Sequence, residues 1–188
     1  MTVTFLFSGE QVVSVGAVDV GDMAKCNHEE TNTCVVVHIL HSLAQGSRSV
    51  NVRTVDTDVV VILVGKFHDF KMLKSDLDLW VSFGVGKQFS HYHINTICAW
   101  LGQNKCRGLP IFHAFTGSDT TSAFRGKGKV SAWKAWQAYP EVTATFEDLF
   151  VNPFQQLDES SHHFKNLEKC TVVLYNKTSE QGKVNLLR

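Results

Sequence analysis

Apolar and polar residues change their rhythm along this chain, and the changes mark its elements. Thr2 to Phe7 alternates and is rich in β-formers, and Val12 to Val15 is a second β-rich run able to pair with it. Residues 19–30 are polar and loop-like. Thr31 to Gln45 reads as a helix despite its valines, and Gly46 supplies its stop. Ser49 to Thr54 reads as a strand. Asp56-Thr57-Asp58 interrupts the pattern, and the unbroken run Val59 to Val64 is predicted to be a strand buried on both faces, as in a parallel sheet. Leu79 to Val85 is a further predicted strand, closed by Gly84 and Gly86. Alternating helix and strand patterns predict an α/β layered fold with a mostly parallel sheet.

From His93 onward the rhythm is helical. The pattern predicts helices over Ile94 to Leu101, stopped by Gly102, and over Asn104 to Phe115, with Pro110 an awkward interior residue. A third covers Val130 to Tyr139, and a fourth, Glu141 to Phe150, starts after Pro140 as helices often do. After a polar stretch a last helix is expected from Phe164 to Tyr175, followed by a frayed tail. These elements group into a domain over residues 1–150, with 151–188 as a C-terminal helix and tail.

The chain has 188 residues, 44% of them hydrophobic and 19% charged. That is enough apolar surface for a core and excludes a disordered chain. No apolar run reaches the roughly 18 residues of a membrane span, and Met1 to Glu10 has neither a basic n-region nor a cleavage site, so no membrane partner and no signal peptide are expected. Five cysteines, an odd number without a C-x-x-C pair, are expected to be reduced thiols in an intracellular setting. Cys34, His38 and His41 fall on one helical face, with Cys26 and His28 upstream. They could offer soft ligands to zinc, but four ligands at standard spacing are not evident and a packing role is preferred.

Eighteen basic residues balance eighteen acidic ones, yet the charges are unevenly placed. Residues 101–140 hold one acid, Asp119, and six bases. That basic quarter includes Arg125-Gly126-Lys127-Gly128-Lys129, immediately before a predicted helix. Its glycines let backbone N–H groups approach an anion and the helix start adds its positive dipole end, so a nucleic-acid phosphate is one natural ligand and a solvated basic turn the plain alternative. Three acidic motifs also stand out. Asp56 and Asp58, two apart on an extended backbone, would point to one side and could share Mg²⁺ or Mn²⁺, or could simply form a polar turn. Glu29-Glu30 precedes a helix, where acids favour the dipole or could reach a metal. Gly117-Ser118-Asp119 delivers an acid from a flexible tripeptide, or forms a turn ending in a helix cap.

In order, His28-Glu29-Glu30-Thr31-Asn32, Asp56-Thr57-Asp58, Gly117-Ser118-Asp119 and Gly126-Lys127-Gly128-Lys129 resemble the flap-endonuclease-type structure-specific 5′ nucleases of the PIN-like superfamily. The likeness covers about residues 27–150 and is best from Tyr92 to Lys129. The chain is also similar to a group of animal proteins associated with mobile elements, whose first motif reads Glu-Glu-Ala-Asp-Thr. The resemblance implies a PIN-like fold whose helical C-terminal part contains a helix–two-turn–helix. It implies catalytic, metal-ligand roles for Glu30, Asp56, Asp58 and Asp119, with Mg²⁺ or Mn²⁺ held over a scissile phosphate. It further implies sequence-independent DNA backbone contacts through Arg125, Gly126, Lys127, Gly128 and Lys129, and a nuclear location.

The departures shape the expected function. Asn32 stands where the family has a second acid, and the family's N-terminal half, with its first-strand Asp, has no counterpart in this sequence. The chain therefore reads as the C-terminal half of a nuclease-like domain, weakly active or inactive. The alternatives are a non-catalytic nucleic-acid-binding module and an inert fragment.

Overall fold

A computed structural model describes Thr2–Ser8, Gln11–Val15 and residues 31–176, with side chains from Cys34 onward. The protein is α/β and divides into two compact units, residues 1–106 and 107–188.

In the first unit β1 (Thr2–Ser8) pairs antiparallel with β2 (Gln11–Val15). Helix α1 (Thr31–Ala44) leads to β3 (Ser49–Thr54), and α2 (Thr57–Leu73) leads to β4 (Asp78–Phe83). A single 3₁₀ turn (Gly86–Gln88) precedes β5 (Ser90–His93), which runs into α3 (Ile94–Leu101). The sheet order is β2-β1-β3-β4-β5. Its two inner ladders, β1–β3 and β3–β4, are parallel and its two outer ladders antiparallel, so the sheet is mixed. Parallel neighbours need a crossover, and α1 and α2 supply the helices of the two connections.

The side-chain period of β3 explains its packing. Val50, Val52 and Thr54 are buried while Arg53 between them is exposed. Leu79 and Val81 of β4 alternate inward beside them, and Val35, Ile39, Leu63 and Ile94 come from the helices. Helix α1 packs on α2, and α2 on α3. Asn95 ties α3 to β4: its amide donates to the Leu77 carbonyl at 2.7 Å and its oxygen accepts from the Leu79 N–H at 2.8 Å.

Two expectations fail here. Val59 to Val64 is no strand but the first half of α2. Asp56 adopts an extended backbone and accepts a hydrogen bond from the Asp58 N–H, so it is the helix N-cap, and Asp58 lies in the first turn. The buried residues Val59, Leu63, Val64, Phe67 and Phe70 then recur at helical spacing. Cys34 is disulfide-bonded, not a reduced thiol, whereas Cys98, Cys106 and Cys170 are free and buried.

The second unit is helical: most of α4 (Gln103–Phe115), then α5 (Lys129–Ala138), α6 (Val142–Val151) and α7 (His162–Tyr175). Helices α5 and α6 both pack on α7. Ser161 caps α7 by accepting from the Phe164 N–H at 3.1 Å. The core centres on Trp136, whose ring centroid lies 4.7 Å from that of Phe112 and 5.2 Å from those of Phe146 and Trp133. A polar string runs beside this core, from the half-buried Tyr139 hydroxyl to Asn166 Oδ1 and from Asn166 Nδ2 to Thr145 Oγ1, each at 2.9 Å. With partners supplied, these groups escape the penalty of unsatisfied burial.

Candidate functional site

The two acidic motifs among the described residues take different backbone settings. Asp56 sits just past the carboxyl end of the central strand β3, where open α/β sheets gather their sites. Its own N–H donates to Thr54 Oγ1 at 3.0 Å, and its Oδ1 accepts from the Asp58 N–H at 2.8 Å. Asp56 and Asp58 are half-buried and share one helix start, but they are not paired on an extended strand. The geometric premise for their facing one side is therefore corrected. Glu30 lies outside the described residues, as do Cys26 and His28.

Asp119 is exposed. The Thr121 N–H donates to the Ser118 carbonyl at 3.2 Å, which closes a four-residue turn with Asp119 at its second position. Thr121 Oγ1 braces that turn, accepting from the Ser118 N–H and donating to the Ala114 carbonyl at the end of α4. Asp119 does not cap α5, which begins at Lys129. Among the described residues, no group of three or more His, Cys, Asp and Glu side chains could hold a metal ion. The described acids thus do not by themselves compose a two-metal centre. The same holds for zinc on α1: a bonded Cys34 sulfur is not a thiolate ligand. His38 is buried there, and burial together with neighbouring His41 holds its imidazole below the ordinary range.

A cap makes a prediction that a bare metal ligand would not. Asp56→Ala should destabilise the protein by about 1 kcal/mol, since α2 loses its N-cap. Asp56→Asn keeps the cap and should cost less. Urea unfolding compares the two, and equal losses would show that the charge, not the cap, supports α2.

The basic motif is a built turn. Two successive turns link α4 to α5, the second closed by the Lys127 N–H on the Phe124 carbonyl at 3.0 Å. Gly126 has φ +70°, and Gly128 takes the N-cap of α5 in extended conformation with no side-chain cap. Arg125 is exposed, and its carbonyl accepts from the Tyr175 hydroxyl at 3.2 Å. Lys127 Nζ stands 5.1 Å from the centroid of the Tyr175 ring, a cation–π contact. Lys129 is engaged differently. Its ammonium donates to the His113 carbonyl at 2.6 Å and to Thr116 Oγ1 at 2.8 Å, fastening the turn to the end of α4.

One cluster was not legible in the sequence. Trp80 stacks on His93 with centroids 4.3 Å apart, and Asp78 takes a hydrogen bond from Trp80 Nε1 at 3.0 Å and pairs with His93 Nε2 at 2.8 Å. His93 Nδ1 meets Thr96 Oγ1 at 2.8 Å, so the cluster staples β4, β5 and the head of α3 together. Its only local signal is the two-residue spacing of Asp78 and Trp80, since His93 reaches them across the β4–β5 ladder.

No protein-family model matches the chain, and no curated protein or solved structure matches it.

Proposed function

We propose that this chain is a nuclease-type, PIN-like module that grips the DNA phosphate backbone through the 125–129 turn and cleaves phosphodiesters poorly or not at all. The observation that carries this reading is the start of α5. A residue without a side chain, Gly128, holds the N-cap position, the preceding Gly126 is in the left-handed region, and basic side chains flank both. Backbone N–H groups and a helix dipole there favour an anion, and Arg125 and Lys127 add charge. Lys129, fastened to α4, holds the turn in shape. The helix–two-turn–helix form of this connection also fits the resemblance on which the family reading rests. Poor catalysis follows from the acids: Asp56 is committed to capping α2, and the described carboxylates do not assemble a metal centre. Loss of electrostatic stabilisation at such a site costs on the order of 10²-fold or more.

Backbone contacts carry no sequence information, so duplex binding should be indifferent to sequence and weaken with salt, with a log–log slope of about −0.9 per phosphate neutralised. Arg125→Ala combined with Lys127→Ala should reduce both affinity and slope. Parental binding by that double variant across a salt series would overturn the backbone reading. With Mg²⁺ or Mn²⁺ the chain should leave flap, hairpin and single-stranded DNA essentially intact. Robust cleavage abolished by Asp58→Ala would overturn the inactivity.

A further inference from the structure

The second unit carries a cavity of about 560 Å³, of the size that takes small-molecule ligands. Phe115, Phe124, Phe164 and Leu167 supply apolar wall, and Glu168 and Thr171 are its polar lining groups. The rings of Phe115 and Phe124 meet edge to face, 5.2 Å between centroids, so this part of the wall is aromatic.

This cavity shares its edge with the basic turn. Phe124 is the residue immediately before Arg125, and its carbonyl closes the turn by accepting from the Lys127 N–H. Thr171 lies one helical turn before Tyr175, whose ring stands 6.5 Å from that of Phe124 and carries Lys127 over its face. A strand held by its phosphates at residues 125–128 would thus lie beside an aromatic pocket, with a base within reach of it. Resting on the backbone reading above, we propose that this cavity receives an unpaired nucleobase, making the preferred substrate single-stranded or frayed nucleic acid.

The polar groups select among bases. Thr171 Oγ1 donates its only proton to the Leu167 carbonyl at 2.9 Å, which leaves it an acceptor. Glu168 adds a carboxyl group to the same lining. A base with an amino group satisfies such a lining, as cytosine N4 does with a carboxylate. Thymine does so poorly, because its one N–H lies between two carbonyl oxygens that the carboxylate repels.

The test uses the full chain with oligo-dC, oligo-dT and an abasic strand of equal phosphate count. Base stacking on aromatic side chains is worth about 1–3 kcal/mol per base, so oligo-dC should bind roughly 5–150-fold more tightly than the abasic strand, with the same salt slope. Oligo-dC should also exceed oligo-dT, and Glu168→Gln, whose amide both donates and accepts, should narrow that gap. Cytidine monophosphate alone should shift the NMR methyl signals of Leu167 and Thr171. Equal binding of dC and abasic strands, or methyl shifts given by a fatty acid and not by the nucleotide, overturns the base pocket. The backbone reading then still stands if the salt slope falls in the Arg125/Lys127 double variant. A flat salt response with nucleotide-induced methyl shifts would instead sink the backbone reading and keep the pocket.

Discussion

Trp136→Ala should lower the unfolding free energy by about 3–5 kcal/mol, as truncation of a buried aromatic typically does. Trp136 is 1% exposed. Its indole touches three other rings, those of Phe112, Trp133 and Phe146, so truncation opens a cavity that rigid neighbours cannot fill. Its Nε1 also donates to Thr143 Oγ1 at 2.9 Å, across the join between α5 and α6. Trp136→Phe keeps most of the packing and loses that bond, and should cost distinctly less. Denaturant unfolding followed by hydrogen exchange across α5 to α7 would show the effect. A loss under about 1 kcal/mol would mean that this cluster is not the core of the second unit.

Gly117→Ala should be nearly as damaging, by about 2–5 kcal/mol, for a backbone reason. Gly117 has φ +102°, a conformation that costs an L-residue energy at once. A Cβ there would also lie 2.7 Å from Ala123 Cβ and 2.8 Å from Ala123 Cα, and the main chain cannot swing aside as a flexible side chain could. Gly46 is the matched control: φ is +87° and nothing lies within 4 Å of an added Cβ. Gly46→Ala should therefore carry only the conformational penalty, about 1–2 kcal/mol. Equal thermal shifts for the two variants would remove the steric part of the argument.

Elements with local punctuation were legible in the sequence. Helix α3 ends at Gly102, which has φ +76°, and α1 is followed by Gly46 in the same left-handed region. Helix α2 was misread because Val59 to Val64 is apolar at every position and so has no period of its own. The helical repeat shows only when Phe67 and Phe70 are added. The cap residue Asp56, which should have marked a helix start, was read as an interruption. Strand β5 escaped notice because Ser90-His91-Tyr92-His93 has no apolar alternation, being an edge strand with exposed His91 and Tyr92. At the candidate site the turn residues were legible as Gly-x-Gly, since glycine at those positions is a local signal. The contacts of Lys129 with His113 and Thr116 and of Lys127 with Tyr175 were not, because they join positions far apart in the chain that only the tertiary fold brings together.

The bond from Lys129 to the His113 carbonyl closes a ring of backbone that contains both Gly-Ser-Asp and Gly-x-Gly. Within it, two braced turns and the tight approach of Gly117 to Ala123 leave no slack. The interval between the two motifs is thus a ring size, bounded by the Lys129–His113 bond and the turns inside it. An insertion or deletion inside it would have to break the ring, whereas damage to acids elsewhere would leave it untouched. Residues 113–129 are therefore cross-tied as one segment, and a change of length anywhere inside it should be felt at both of its ends.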